Sequence, residues 1–287
     1  MIERYSRGLS GFGDGLANLL NRLYGALGAP GKLLQDFLNG SWLGHPLHAV
    51  LVDVVVGGYT MLIALDLLGL VLHVDVEPAG IIILGLSTLA GLSALLSGLT
   101  DYKDTATGDE RNTTVLHGTI NTIAIVVYLV AFVLRLGGSL DASRLVAVVA
   151  YLVISLGAYV GGHVVFKYGY MVNHNAFAKG KRAKEFTPVL PAAELAEGKP
   201  TKAMLGATAL VLVRRGDLVH ALKETCSHAG GPLSEGELRG DEIICPWHAS
   251  HFRLADGHVL HGPANTRQVR YEARLNAGQV EVLGPVD

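Results

Sequence analysis

Two short segments hold the residues best equipped for chemistry: Cys226-Ser227-His228 and, after sixteen intervening residues, Cys245-Pro246-Trp247-His248. They contain the only two cysteines of the chain. Two thiolates and two imidazoles can close on one zinc ion, or they can divide between the two irons of a sulfide-bridged cluster. In the second case Cys226 and Cys245 hold one iron, and His228 and His248 hold the other. Zinc sites usually take Cys with Cys and then His with His along the chain, and the order here is different. Two loops that each give one Cys and one His would clasp a [2Fe-2S] cluster symmetrically, and such a cluster moves electrons.

The stretches Cys226-Ser-His228-Ala-Gly-Gly-Pro232-Leu233 and Cys245-Pro246-Trp247-His248-Ala-Ser250 closely resemble the two boxes of Rieske ferredoxins and of the Rieske domains of ring-hydroxylating oxygenases. Phe252, Leu254, Asp256-Gly257 and Gly262-Pro263-Ala264 follow the same pattern, so the resemblance covers residues 187–287. It implies a small all-β domain with the cluster at its tip, ligand histidines near solvent, and Ser250, Phe252 and Pro263 around the cluster. Residues 209–213, 218–221, 242–244, 269–273 and 280–282 read as its strands, between Gly or Asp turns. Residues 188–200 read as its first strand and turn.

Two positions depart from the family. Ala249 stands where Gly commonly follows the second ligand histidine, and Phe252 stands where high-potential members have Tyr. Losing that hydroxyl removes a hydrogen-bond donor toward the cluster, so the midpoint is expected low within the Rieske range of about -150 to +300 mV. His251, His258 and His261 read as solvated loop residues.

The cluster segments need elements to carry them, and the rest of the chain supplies a membrane part. Half of the 287 residues are apolar, and mean hydropathy is positive. Residues 47–72, 79–99, 115–136 and 145–166 are each long enough to cross a hydrocarbon core of about 30 Å. Short polar connections favour an up-down bundle. Small residues four apart (Ser87 and Gly91, Ala90 and Ala94, Ser93 and Ser97, Gly157 and Gly161) let helix backbones approach closely in lipid. The expected organisation is α plus β multidomain: amphipathic interfacial helices at 1–40, a four-transmembrane-helix bundle at 41–172, a basic linker at 173–186 and the Rieske domain at 187–287. The first long apolar run begins too far along for a cleavable leader.

Lys and Arg are asymmetric across the spans: eleven, from Arg4 to Lys184, flank one side and only Arg135 and Arg144 the other. The positive-inside rule then predicts a multi-pass protein of the bacterial cytoplasmic (inner) membrane, with both termini and the Rieske domain cytoplasmic. Two cysteines and no spare partner for a disulfide suit that reducing side.

Four histidines gather near the same side once the helices are threaded: His45 and His48 at the start of the first span, His117 in the third and His163 late in the fourth. Asn121 and Asp101 join them, and Asp53 lies deeper. Facing bundle helices commonly supply imidazoles as haem ligands, whereas a lone interfacial histidine more often just hydrogen-bonds a carbonyl or headgroup. A haem b, quinone or metal site is one reading, with His48, His117 and His163 the preferred haem ligands and His45 in reserve; a bundle that only anchors the domain is the other. His45-Pro46-Leu47-His48, Leu116-His117-Gly118 with Asn121, and Gly161-Gly162-His163 with Lys167-Tyr168-Gly169 resemble a bacterial family of four-helix membrane domains without an established function.

A net charge of -2 and the lack of a basic aromatic stripe argue against a nucleic-acid partner. No activated nucleophile, phosphate loop or mononuclear oxygenase iron motif is present. The expected function is membrane-anchored electron transfer, from the cluster to or from the histidine-lined site. A subunit of a quinone- or haem-linked reductase and a redox sensor are the alternatives. Expected partners are membrane lipid and a redox partner protein, with a homo-oligomer or a larger complex left open.

Overall fold

The computed structural model describes residues 2–177 and 185–286. The chain forms two units, residues 1–34 with 46–170 and residues 35–45 with 171–287.

The first unit is helical. After α1 (Ile2–Ser6), α2 (Ser10–Asn39) is broken at Gly28, whose φ of 58° and ψ of -134° are not helical, two residues before Pro30. Its first half packs on the bundle: Ala17 is buried with Tyr102 and Val115, and the Tyr24 hydroxyl lies 2.6 Å from Thr100 Oγ1. Leu19, Leu23 and Leu27 remain exposed, so this half keeps an apolar face while also packing beneath the spans.

The four long helices are α3 (Leu47–Leu72), α4 (Glu77–Tyr102), α5 (Asp109–Leu136) and α6 (Leu140–Tyr168), all long and apolar enough to cross a membrane. At 1.5 Å per residue even the shortest reaches about 39 Å, which is enough to span with some tilt. Each outward face is apolar (Val54, Met61, Leu86, Val126 and Leu152 are exposed), while Ser87, Gly91, Ala94, Ser97 and Gly157 are buried between helices.

The bundle is an internal repeat of one helical hairpin. His48, Tyr59 and Asp66 of α3 correspond to His117, Tyr128 and Arg135 of α5, each pair 69 residues apart. The buried positions of α4 (Gly80, Leu84, Ser87, Gly91, Ala94, Ser97) correspond to those of α6 (Ser143, Ala147, Ala150, Ile154, Gly157, Val160), each 63 apart. Steps of 11 and 7 residues keep all three members of each series on one helix face. Equivalent residues touch each other: the His48 and His117 ring centroids are 6.2 Å apart, Tyr59 and Tyr128 stack at 3.4 Å, and Arg135 Nη2 lies 2.5 Å from Asp66 Oδ1. Contact between equivalent positions places them on a pseudo-two-fold axis, which runs along the bundle because α3 and α5 start from the same end.

At the far end of that axis Arg135 is buried and also reaches Glu77 at 3.2 Å, and Arg144 lies 3.6 Å from Asp66. The two arginines opposite the basic flank are thus bound into a buried ion network rather than displayed.

The second unit is β. A six-stranded antiparallel sheet has the order β1 (Thr187–Pro191), β10 (Gln279–Val286), β9 (Arg270–Asn276), β4 (Leu218–Lys223), β3 (Thr208–Arg215), β2 (Thr201–Leu205). A four-stranded sheet carries β5 (Glu237–Arg239), β6 (Glu242–Ile244), β7 (His251–Arg253) and β8 (Val259–His261) in sequence order. Every expected strand is present; β2, β5, β7 and β8 were not foreseen, three of them being only three residues long.

Two segments outside 187–287 fold onto this unit. Asp36, near the end of α2, accepts from Gly262 N at 2.9 Å and pairs with His261 Nδ1 at 2.6 Å. Within the stretch expected as linker, His174 N donates to Ser227 O at 3.1 Å and Asn175 Nδ2 to Thr225 O at 3.0 Å. The remainder of that stretch, 178–184, lies outside the described residues.

Candidate functional site

The second unit brings Cys226, His228, Cys245 and His248 together on two loops, one leaving β4 and the other joining β6 to β7. The loops share one hydrogen-bond frame. Cys226 N donates to Gly231 O and Gly230 N to Cys226 O; Cys245 N donates to Ser250 O and Ala249 N to Cys245 O, all at 2.9–3.0 Å. In each loop the residue four after the cysteine has positive φ, +83° at Gly230 and +54° at Ala249. The same turn therefore presents each cysteine, with its histidine two positions on in the first loop and three in the second.

Donors of one kind meet. The cysteine thiols hydrogen-bond to each other, which holds Cys245 down at about 7 and, with burial, drives Cys226 up. The N–H groups of His228 and Ala229 point at the Cys226 sulfur, and those of Trp247 and His248 at that of Cys245. The His228 and His248 rings lie 5.0 Å apart and nearly perpendicular. Among the described residues no three His, Cys, Asp or Glu side chains gather as a single ion would require. A sulfur pair beside an imidazole pair fits a two-iron cluster with unlike ends better than it fits one zinc. Gly231 belongs to this cradle, since a Cβ there would stand 2.8 Å from Cys245 Sγ and 3.0 Å from the Trp247 ring.

His248 is half-buried beside the exposed Trp247, whereas His228 is buried, in contrast to the solvent-facing pair that the resemblance implied. Residues 173–175 dock on the loop that carries His228. Ser250 is fully buried and its hydroxyl accepts from Ala264 N at 3.0 Å, tying the second loop to the segment that contains Pro263. Phe252 is fully buried in the core that includes both cysteines.

Three supports escaped the sequence reading. Buried Gln268 accepts at 3.1 Å from both Ser227 N and Asn175 Nδ2, and donates to Lys223 O at 2.6 Å. Glu224 accepts from Ser234 N at 3.0 Å, and Asp36 holds Gly262. None has a motif or period to betray it. His251 is not simply solvated, since its Nδ1 lies 2.7 Å from Glu242 Oε2 and its ring meets His261 at 5.0 Å.

In the first unit His48 and His117 face each other, each with Nδ1 on a carbonyl: Ala94 O at 2.8 Å and Gly157 O at 2.9 Å. Asn121 lies against the His117 ring and donates to His117 O at 2.8 Å. His163 is drawn elsewhere, with Nε2 3.1 Å from Glu3 Oε1 and its ring against Tyr168. Lys167 and His163 beside Glu3 hold that carboxyl well below the usual range. His45 is exposed and belongs to the second unit. Asp101 is buried and Asp53 is exposed.

Comparison with known proteins agrees with this division. The Rieske [2Fe-2S] domain family matches residues 185–275, and a predicted membrane protein family (DUF2231) matches residues 44–174. Ferredoxin CarAc of Metapseudomonas resinovorans is 36% identical over 80 residues, 28% of this chain and 75% of that protein. The anthranilate 1,2-dioxygenase ferredoxin subunit of Burkholderia cepacia is 32% identical over 99 residues, 34% of this chain and 91% of that protein. Among solved structures, the ferredoxin of carbazole 1,9a-dioxygenase from Nocardioides aromaticivorans IC177 is 26% identical, covering 36% of this chain and all of its own, with a TM-score of 0.34. Through residues 185–275 the chain belongs to the Rieske [2Fe-2S] family, whose electron-transfer domain is here fused, through residues 44–174, to a four-helix domain of the predicted membrane protein family DUF2231.

Proposed function

We propose that the chain is a membrane-anchored one-electron carrier. Cys226 and Cys245 hold one iron of the cluster, His228 and His248 hold the other, and single electrons pass between a redox partner protein and a histidine-lined haem or quinone site in the bundle. The observation that carries this is the matched pair of loops, which sets sulfur opposite sulfur and imidazole opposite imidazole on one backbone frame.

The bound cluster supplies reversible uptake of one electron. The chain's own groups set its terms. N–H groups aimed at both sulfurs favour the more negative reduced form, and burial of Phe252 beside them excludes water. Trp247, 57% exposed and 6.4 Å from the His248 ring, marks the face for a partner. That several similar proteins are ferredoxin subunits of dioxygenases supports a protein partner. The basic flank supports a cytoplasmic Rieske domain and cytoplasmic termini at the bacterial inner membrane.

Full-length protein in detergent should hold about two irons and two acid-labile sulfides per chain, and give a Rieske-type paramagnetic signal on reduction. Replacing His228 or His248 with Ala should abolish that signal. Stoichiometric zinc with no signal in the parent protein would overturn the assignment.

A further inference from the structure

We infer that the bundle binds one haem, with His48 and His117 as trans axial ligands through their Nε2 atoms. This rests on the reading above that the bundle holds a second redox centre, and it names the centre and two of the four candidate histidines.

The first ground is tautomeric. A carbonyl only accepts, so Nδ1 of each ring must donate, to Ala94 O or to Gly157 O. In the neutral ring the lone pair is then on Nε2, the orientation that a hydrogen bond behind a metal ligand enforces.

The second ground is distance. Two metal–nitrogen bonds of about 2 Å, plus roughly 1.1 Å from each nitrogen to its ring centre, put trans imidazole centroids about 6 Å apart. The observed separation is 6.2 Å, with the rings 83° apart in plane.

The third ground is the repeat. Each imidazole lies flat on a glycine at the equivalent place in its own hairpin. A Cβ on Gly98 would stand 2.9 Å from His48 Nδ1, and one on Gly161 would stand 2.6 Å from His117 Cε1. A side chain at either position would displace the ring, so both glycines fix where the imidazoles lie. The two ligands are related by a pseudo-two-fold axis along the bundle, and a planar macrocycle with alike faces satisfies that symmetry when the axis lies in its plane.

A single ion without a macrocycle is a poor occupant. Among the described residues no third His, Cys, Asp or Glu gathers with this pair, whereas a porphyrin brings four further nitrogens. His163 stands apart from this pair, its Nε2 3.1 Å from Glu3 Oε1 and its ring against Tyr168; at His117 the Asn121 amide, 3.5 Å from Nε2, has to swing aside for a metal to bind.

The test is haemin titration of the full-length protein in detergent, read by the reduced-minus-oxidised spectrum and pyridine haemochrome, with the cluster signal recorded on the same sample. About one haem per chain is expected, with the split bands of bis-imidazole ligation. His48→Ala and His117→Ala should each weaken haem uptake by at least about tenfold, while His45→Ala and His163→Ala bind as the parent does. His48→Met should keep the pigment and raise its midpoint, a response that a merely structural histidine would not give. Full uptake by both alanine variants overturns the ligand assignment. No uptake by the parent overturns the haem; if reduced cluster in that sample still passes electrons to an added quinone, the carrier reading survives, and if it passes none, both fall.

Discussion

Ala249 and Gly230 occupy one position in two copies of the same turn, and exchanging their residue types tests what that position demands. Both donate their N–H to the carbonyl of the cysteine four residues earlier, at 3.0 Å, and both have positive φ. A side chain in the left-handed region costs about 1–2 kcal/mol, and the greater freedom of glycine in the unfolded chain offsets about 0.4–1 kcal/mol of that. Ala249→Gly should therefore stabilise the domain by about 0.5–1 kcal/mol, and Gly230→Ala should destabilise it by a similar amount. The cost at Gly230 is conformational, because the nearest atoms to an added Cβ are His174 Nδ1 at 3.6 Å and Thr225 Cγ2 at 3.8 Å, ordinary contacts. In a domain of about 100 residues 1 kcal/mol moves the midpoint by about 4–8 °C, so shifts of about 2–8 °C in opposite directions are expected. Thermal loss of the visible cluster absorbance and of far-ultraviolet circular dichroism, scanned at one fixed rate, measures both. An Ala249→Gly variant that melts lower, or a Gly230→Ala variant that melts unchanged, would refute the claim that backbone handedness governs this position.

Phe252→Tyr places a hydroxyl in the core beside both cysteines. Donation toward a cluster sulfur would favour the reduced state by about 1–2 kcal/mol, raising the midpoint by about 40–80 mV in redox titration; an unchanged or lower midpoint argues against the donor role. Arg135→Met leaves buried Asp66 to Arg144, 3.6 Å away, and should cost about 3–5 kcal/mol in detergent, most of it recovered on adding Asp66→Leu. A double variant as unstable as the single one would show that packing, not charge, is at stake. The Arg253 hydrogen bond holds Asp256 at about 2 against an ordinary 3.8. A depressed carboxylate contributes stability that is fully present above its unfolded value and lost as pH falls through the folded one. Asp256→Asn should thus flatten the pH dependence of unfolding between about 4 and 2, and a slope equal to the parent's would contradict the pairing.

The sequence displayed the features that repeat a rule locally. Four apolar spans of fixed minimum length, and strands punctuated by Gly or Asp, were legible because hydrophobic period and turn chemistry act over a few residues. The four proposed cluster ligands stood out by residue type and order, and the structure brings them onto two facing loops. Hidden features depend on distant pairings. Asp36 reaches Gly262 across 226 residues and Asn175 reaches Gln268 across 93, and neither carries a pattern. For that reason the end of α2 was expected as part of an interfacial helix and residues 173–177 as part of a linker, whereas both group with the β unit. The hairpin repeat lay between these extremes. Its spacing of His, eleven residues, an aromatic, seven residues, a charge is present in the sequence, but Tyr and Tyr are its only conspicuous match after the histidines, and Asp66 against Arg135 hides the third.

That third pair explains how a repeated hairpin avoids pairing with its own kind. Two copies of the first hairpin facing each other across the axis would set Asp66 against Asp66, and two of the second would set Arg135 against Arg135, both buried. Either arrangement leaves like charges in a setting of low dielectric, where one-sided charge is most costly. Only the first hairpin with the second gives a carboxylate to a guanidinium, at 2.5 Å, with Glu77 satisfying the remaining donor. The tyrosine layer, stacked at 3.4 Å, closes the middle of the axis. Charge therefore fixes the partner at one end and aromatic stacking fixes the approach of α3 to α5 at the centre. The histidine layer completes the series at the opposite end, where the equivalent rings of His48 and His117 meet with centroids 6.2 Å apart.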